Sequence, residues 1–239
     1  MNQAPTRSKL VTVTGVISLI LLLALPVSVV LVRSGQWQPG LGLYALSCAG
    51  AVLVMILFII LLMLPGFKTQ RAAIFKRALL VLPGTILLVT LVGGRGDYPP
   101  IHDISTDTLE PPTFSAAGAK RGEGANPLTI KPDSIAMQIQ SYPGLTTLRN
   151  SNSLEDNFDR ALATATALGW EIYHQDRKSG TIEAVDTTAI MNFKDDVVIR
   201  LRTQDSETLI DMRSVSRVGV GDIGANAKRI RAFQKQFNS

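Results

Sequence analysis

Read for its apolar and polar positions, the chain changes character near residue 95. Ahead of that point Leu10–Val32, Leu41–Leu64 and Ala78–Gly94 run for 23, 24 and 17 residues without a charged side chain. A hydrocarbon core of about 30 Å takes about 20 helical residues, so the first two runs predict membrane-spanning helices. The third is short and Pro83-Gly84 interrupts it, which leaves a re-entrant path open. Lys76 and Arg77 at one end can snorkel and Tyr98 at the other can sit at an interface, and both favour a third span.

Beyond residue 95 the patterns are those of a water-soluble fold. Residues 95–134 are rich in proline and glycine and carry no period, which predicts an extended connector. Residues 135–239 read as the folded domain. Ser153-Leu-Glu-Asp156 has the form of a capping box, and Leu154, Phe158, Ala161, Leu162, Ala165 and Leu168 make one apolar face that Gly169 terminates. Trp170–His174 alternates and places His174 on the core side; the turn 176–180 and Thr181–Thr187 complete a hairpin. Val197–Thr203 and Thr208–Ser216 predict a second hairpin with Thr203 opposite Thr208. A closing helix carries Ile223, Ala227, Ile230, Phe233 and Phe237 on one face. The expected architecture is three transmembrane helices followed by an α+β domain, an antiparallel sheet with helices packed on it in the order α-β-β-β-β-α.

Charge sharpens the membrane reading. All 19 acidic residues lie at or beyond Asp97. Seven of the 24 basic residues precede Arg95, in the segments 1–9, 33–40 and 65–77. Segments 1–9 and 65–77 are the basic ones, and such segments stay cytoplasmic. An odd number of spans then puts the N-terminus in the cytoplasm and the domain on the extracytoplasmic side, at the inner or plasma membrane if the source is bacterial. The first run is longer than the h-region of a signal peptide and no Ala-x-Ala site follows, so an uncleaved signal-anchor is expected. The basic pI of about 9.5 comes from residues flanking the spans and not from a folded surface, which argues against a nucleic-acid partner. Cys48, the single cysteine, lies within the second run and reads as a packing residue.

Candidate chemistry is thin. Gly42, Ala45 and Ala49 form a small-residue stripe suited to packing within the three-helix unit or, less favoured, to a dimer face. No ionisable residue lies inside the three runs, so an ion pathway has no candidate group. Arg95-Gly96-Asp97 matches an adhesion tripeptide by chance. His102, Asp103 and Asp107 could ligate a metal, but two histidines in the chain make a poor zinc set. The favoured role for that strip is structural, and no metal or cofactor is expected. Register places Arg200 opposite Asp211 on the face of Arg202 and Arg213, a solvated charge ladder or, more sharply, an anion-binding face. Gly219-Val-Gly221-Asp-Ile-Gly224 has the G-x-G-x-x-G form, yet Ser239 lies only fifteen residues past Gly224, so the βαβ unit of a dinucleotide fold is not expected. A tight turn capped by Asp222 is favoured over an anion cradle. With no Gly-x-Ser-x-Gly elbow, no catalytic residues are assigned.

YPPIHDISTD…PPTF, YPGL at 142–145, GWEI at 169–172 and DMRSVSRVGVGDIGANAKRIRAF at 211–233 resemble the family called domain of unknown function 1499, over about residues 97–237. Many members carry a cysteine-containing stretch where this chain has PPIHDISTD. The resemblance brings no activity, cofactor or catalytic residue; it points first to Ser214, Ser216, Arg217, Asp222, Asn226 and Arg229, beside Arg213, Gly219, Gly221 and Gly224. The preferred reading is a non-enzymatic envelope protein whose extracytoplasmic module binds a lipid, an anionic ligand or another membrane protein. The alternative is a hydrolase-like envelope enzyme using His102 with Asp103 or Asp107. A purely structural assembly factor is a third.

Overall fold

The computed structural model describes residues 8–94 and 96–239; the first seven residues, with Arg7 of the basic N-terminal segment, and Arg95 of the tripeptide lie outside them. It divides into two units, up to Arg95 and from Gly96 onward.

The first unit holds α1 (Lys9–Arg33), α2 (Trp37–Met63), a 3-10 turn (Pro65–Gln70) and α3 (Arg71–Gly93). All three long helices have the length and apolar composition to cross a membrane. At 1.5 Å per residue the 23 residues of α3 extend about 35 Å, continuous through Pro83-Gly84, where the sequence had left a re-entrant path open. Hydroxyls among apolar neighbours bond back to their own helices: Thr14 to the Leu10 carbonyl at 2.9 Å, Ser18 to Thr14 at 2.8 Å and Thr85 to Val81 at 2.9 Å. The close approach of α2 and α3 is made at Gly84, where a Cβ would fall 2.8 Å from that of Ala51. Gly42, Ala45 and Ala49 are exposed, and a Cβ on Gly42 would meet nothing, so the expectation that this stripe packs the three helices is corrected. Ser47, Cys48 and Ala51 form the buried face of α2, roughly half a helical turn away.

The second unit is built on one antiparallel sheet. Its strands are β1 (Asp103–Ser105), β2 (Leu148–Asn150), β3 (Glu171–Asp176), β4 (Thr181–Thr187), β5 (Lys194–Gln204) and β6 (Glu207–Ser216), in the order β1-β6-β5-β4-β3, with β2 also on β6. Register across β5 and β6 is the expected one: Thr203 opposes Thr208 and Arg200 opposes Asp211. Helix α6 (Leu154–Ala167) starts at Ser153, whose Oγ accepts the Asp156 N–H at 3.1 Å, and ends before Gly169, left-handed at φ +81°. Helix α7 (Ala225–Phe237) buries Ala227, Ile230, Phe233 and Phe237, with Phe233 stacked on Trp170 at 5.7 Å. These faces close on Ile182, Ala184, Val197, Ile199, Leu201, Ile210 and Met212.

Three expectations are corrected. Ile223 precedes α7, is exposed and has a left-handed backbone, so it does not share the helix face. A bulge between Ile172 and His174 breaks the alternation of β3, and His174 lines an open depression beside Leu162 and Thr166 instead of the core. Residues 96–134 are not a bare connector. They contribute β1, the one-turn α4 (Ala117–Lys120) and the start of α5 (Pro132–Ser141), and they cover the second face of the sheet. An antiparallel sheet usually leaves one face in water. Here Glu183, Asp196, Asp211 and Arg213, all on that face, are buried.

Candidate functional site: two buried polar networks

Strand alternation divides the candidate residues. Along β6, Ser214 and Ser216 project toward α7, while Arg213 projects to the opposite face, where Arg217, just past the strand, is also engaged. One patch in sequence is two sites in space.

On the helix side, Asn226 and Arg229 occupy neighbouring turns of α7 above the serines. Ser214 Oγ donates to Asn226 Oδ1 at 2.7 Å, and Asn226 Nδ2 donates to Ser216 Oγ and the His102 carbonyl, each at 3.0 Å. The Arg229 guanidinium donates to Ser214 Oγ at 3.0 Å, Asn226 Oδ1 at 2.5 Å, Asp186 at 2.7 Å and Asp195 at 2.6 Å. Its charge is matched by two carboxylates. A depression of about 300 Å³ opens beside this network, lined by Trp170, Asp186, Lys228 and Arg229 among others.

The residues of 103–131 close the other face. Arg213, 2% exposed, donates from Nε and Nη2 to the two oxygens of Asp103 at 2.9 and 2.7 Å, and to the carbonyls of Leu128 at 2.7 Å and Pro112 at 3.3 Å. The void beside it measures about 10 Å³, room for no more than one water. Asp196 lies between two guanidiniums: Arg121 Nη1 at 2.6 Å, and Arg217 at 2.9 and 2.7 Å. Burial lowers the Arg121 pKa, with Asp196 opposing; Arg217, less enclosed, is raised by its bonds to the same carboxylate. Burial, then the charges of Asp196 and Glu183, push the Tyr173 phenol far up, so it stays protonated and donates to Asp196 at 3.3 Å. Glu183, fully buried, accepts the backbone N–H groups of Ser115, Ala116 and Ala117 and the Ser115 hydroxyl, at 2.5 to 3.1 Å.

Arg200 and Arg202 both donate to Asp107, at 3.0 and 2.9 Å, and Arg200 to Asp211 at 2.9 Å. The expected ladder exists, but Asp211 is buried and Asp107 nearly so while Arg200 and Arg202 are half-buried, and the pairing with Asp107 and Asp211 neutralises the cations an anion-binding face would offer. At the end of the glycine-rich turn the Asp222 carboxylate accepts the N–H groups of Gly224 and Asn226, each at 2.8 Å, so it caps α7. Burial raises the pKa of that carboxyl. Gly224 has φ +78°, and a Cβ there would fall 2.6 Å from the Tyr98 ring; Gly221 packs on Pro100 and the Gly219 carbonyl accepts from Asn126 at 2.8 Å.

His102 donates from Nδ1 to the Val220 carbonyl at 3.2 Å, while Asp103 and Asp107 are committed to arginines. The His–Asp pairing required by the hydrolase reading is therefore not made. Among the described residues no group of three or more His, Cys, Asp or Glu side chains is placed to hold a metal. Sequence reasoning missed Glu183, Asp186, Asp195, Asp196, Arg121, Asn126 and Tyr173. A signal existed for three of them, since an acid inside the apolar run Ile182–Val185 (Glu183) and the pair of acids opening β5 (Asp195 and Asp196) demand buried partners.

The family model described as protein of unknown function (DUF1499) matches residues 103–237. No curated protein matches the chain significantly.

Proposed function

We propose, for this chain, which belongs to the DUF1499 family of proteins of unknown function, the role of an integral membrane protein that holds a binding module outside the cytoplasm. Three apolar helices fit membrane insertion. The observation that carries the extracytoplasmic side is the charge of the connecting segments: Lys68, Arg71, Lys76 and Arg77 lie between the second and third apolar runs, against Arg33 alone between the first and second. Binding is favoured over catalysis because the ionisable residues that could have formed a reactive set are tied to one another in ion pairs. Such pairs make a rigid platform, whose ligand would be a lipid, an anionic molecule or another envelope protein met at the surface. Two reporters fused after Ser239 test the placement, one active only outside the cytoplasm and one fluorescent only inside. An external signal supports the reading, and an internal one sinks it.

A further inference from the structure

The two ends of the sheet differ in what they expose. At one end lie the start of β1, the β4–β5 connection 188–193 and the turn 217–224 after β6, brought together by the pairings Thr187 with Lys194, Asp195 with Ser216 and Asp103 with Val215. That end presents Ile190, Val220 and Ile223, exposed by 69, 79 and 60%, together with half-exposed Tyr98. The opposite end, at the turns after Asp176 and Gln204, presents Arg177, Lys178, Asp205 and Glu207. Four of the six exposed large apolar side chains of this unit thus gather at one end, the two others being Leu109 and Ile139.

The turn that carries two of them is rigid and strained. Ile223 is β-branched yet sits at φ +53°, a conformation costing about 1–3 kcal/mol that persists only where the surroundings enforce it. They do so here. Asp222 accepts from the residues on both sides of Ala225 and donates its own N–H to the Ile101 carbonyl at 3.1 Å, His102 holds the Val220 carbonyl, and Gly224 abuts Tyr98. A packed turn that keeps aliphatic side chains in solvent is suited to an apolar neighbour. The chain enters the unit at this same end, and Tyr98 follows Gly94, the residue after α3, by four positions, a reach of at most about 14 Å.

We infer that this end of the sheet is a lipid-docking face, with Ile190, Val220 and Ile223 seated in the headgroup region of the bilayer and Tyr98 beside them at the interface. The inference deepens the binding reading by naming the bilayer surface as its ligand. It rests on membrane insertion of α3 and not on the side the unit faces.

The test uses the full chain in vesicles of phosphatidylcholine and phosphatidylglycerol. In a Cys48→Ser background, single variants Ile190→Cys, Val220→Cys and Leu109→Cys carry an environment-sensitive fluorophore, and a fraction of the lipid carries a quencher near its headgroup. Docking gives at least about threefold stronger quenching at positions 190 and 220 than at 109, with a blue-shifted emission at the first two. Equal quenching at all three, with native Trp170 fluorescence once Trp37 is also replaced by phenylalanine, overturns it, whether the face is bare or reserved for a protein. Topology reporters that read cytoplasmic would sink the extracytoplasmic placement and leave this contrast standing, so the two failures are distinguishable.

Discussion

Replacing Arg213 by methionine tests whether the most enclosed cation of the unit is a structural strut or a ligand-binding group. The guanidinium makes two bonds to Asp103 and two to the carbonyls of Leu128 and Pro112, and stacks over the Phe114 ring at 5.5 Å. Breaking a buried pair by removing one partner costs about 3–5 kcal/mol, because the other charge stays behind unpaired. The Asp103 side chain retains 15% exposure and can draw in water, which puts the expected loss near the lower bound, about 3 kcal/mol. For a unit of this length that is a fall in Tm of about 10 °C. Trp170, stacked on Phe233 in the core, reports unfolding of the full chain in detergent micelles once Trp37 is replaced by phenylalanine. Removing both charges, Arg213→Met with Asp103→Leu, is expected to recover most of the loss, since an apolar replacement of the whole pair is often neutral. A single variant within about 1 kcal/mol of wild type refutes the argument. So does stabilisation of the wild type, and not the variant, by inorganic phosphate, the mark of a cation that binds an external anion.

Two further expectations follow from the covered face. Glu183→Gln keeps the shape but turns an acceptor into a donor facing the N–H groups of 115–117; the loss is about 2–3 kcal/mol and falls locally, so trypsin should cut faster after Lys120 and Arg121, and an unchanged rate counts against the carboxylate as the clasp of that segment. Burial works upward on the Asp107 carboxyl, but the N–H groups of Glu110 and Leu109 and the charges of Arg200 and Arg202 outweigh it and hold its pKa below the usual range. A lowered folded pKa gives stability that is present above the unfolded value of about 3.9 and is lost as pH falls through the folded one. Asp107→Asn is therefore expected to flatten the acid limb of the stability curve, and an unchanged limb in urea titrations at stepped pH would contradict it.

How legible the fold was in the sequence depended on how local each signal is. The capping residue and apolar stripe of 153–168 lie within a few turns of one another and read out directly as α6. The pairing of Arg200 with Asp211 followed from a short turn and a period of two. β1 and β2 were not legible: each has three residues and exists only because the outer edge of β6 offers it a ladder. The bulge that re-aims His174 and the left-handed Ile223 were equally hidden, since both contradict the periodicity around them.

The chain alone determined its division into an apolar, acid-free front and a mixed-charge back, the three helices, and the alternation of the central strands, because hydrophobic period and charge are properties of neighbours in sequence. Tertiary structure alone decided the fate of the charged residues. Arg213 and Asp103 are 110 positions apart, Arg217 and Asp196 21, and Arg229 and Asp195 34. A cation reads as available for a ligand until the carboxylate that neutralises it is located, and burial raises the cost of leaving either unpaired. The stretch 96–134, periodless because its backbone answers to the sheet beneath it and not to itself, supplies Asp103, Asp107 and Arg121 to that face. Its composition suggested a connector, and its contacts make it the second layer of the domain.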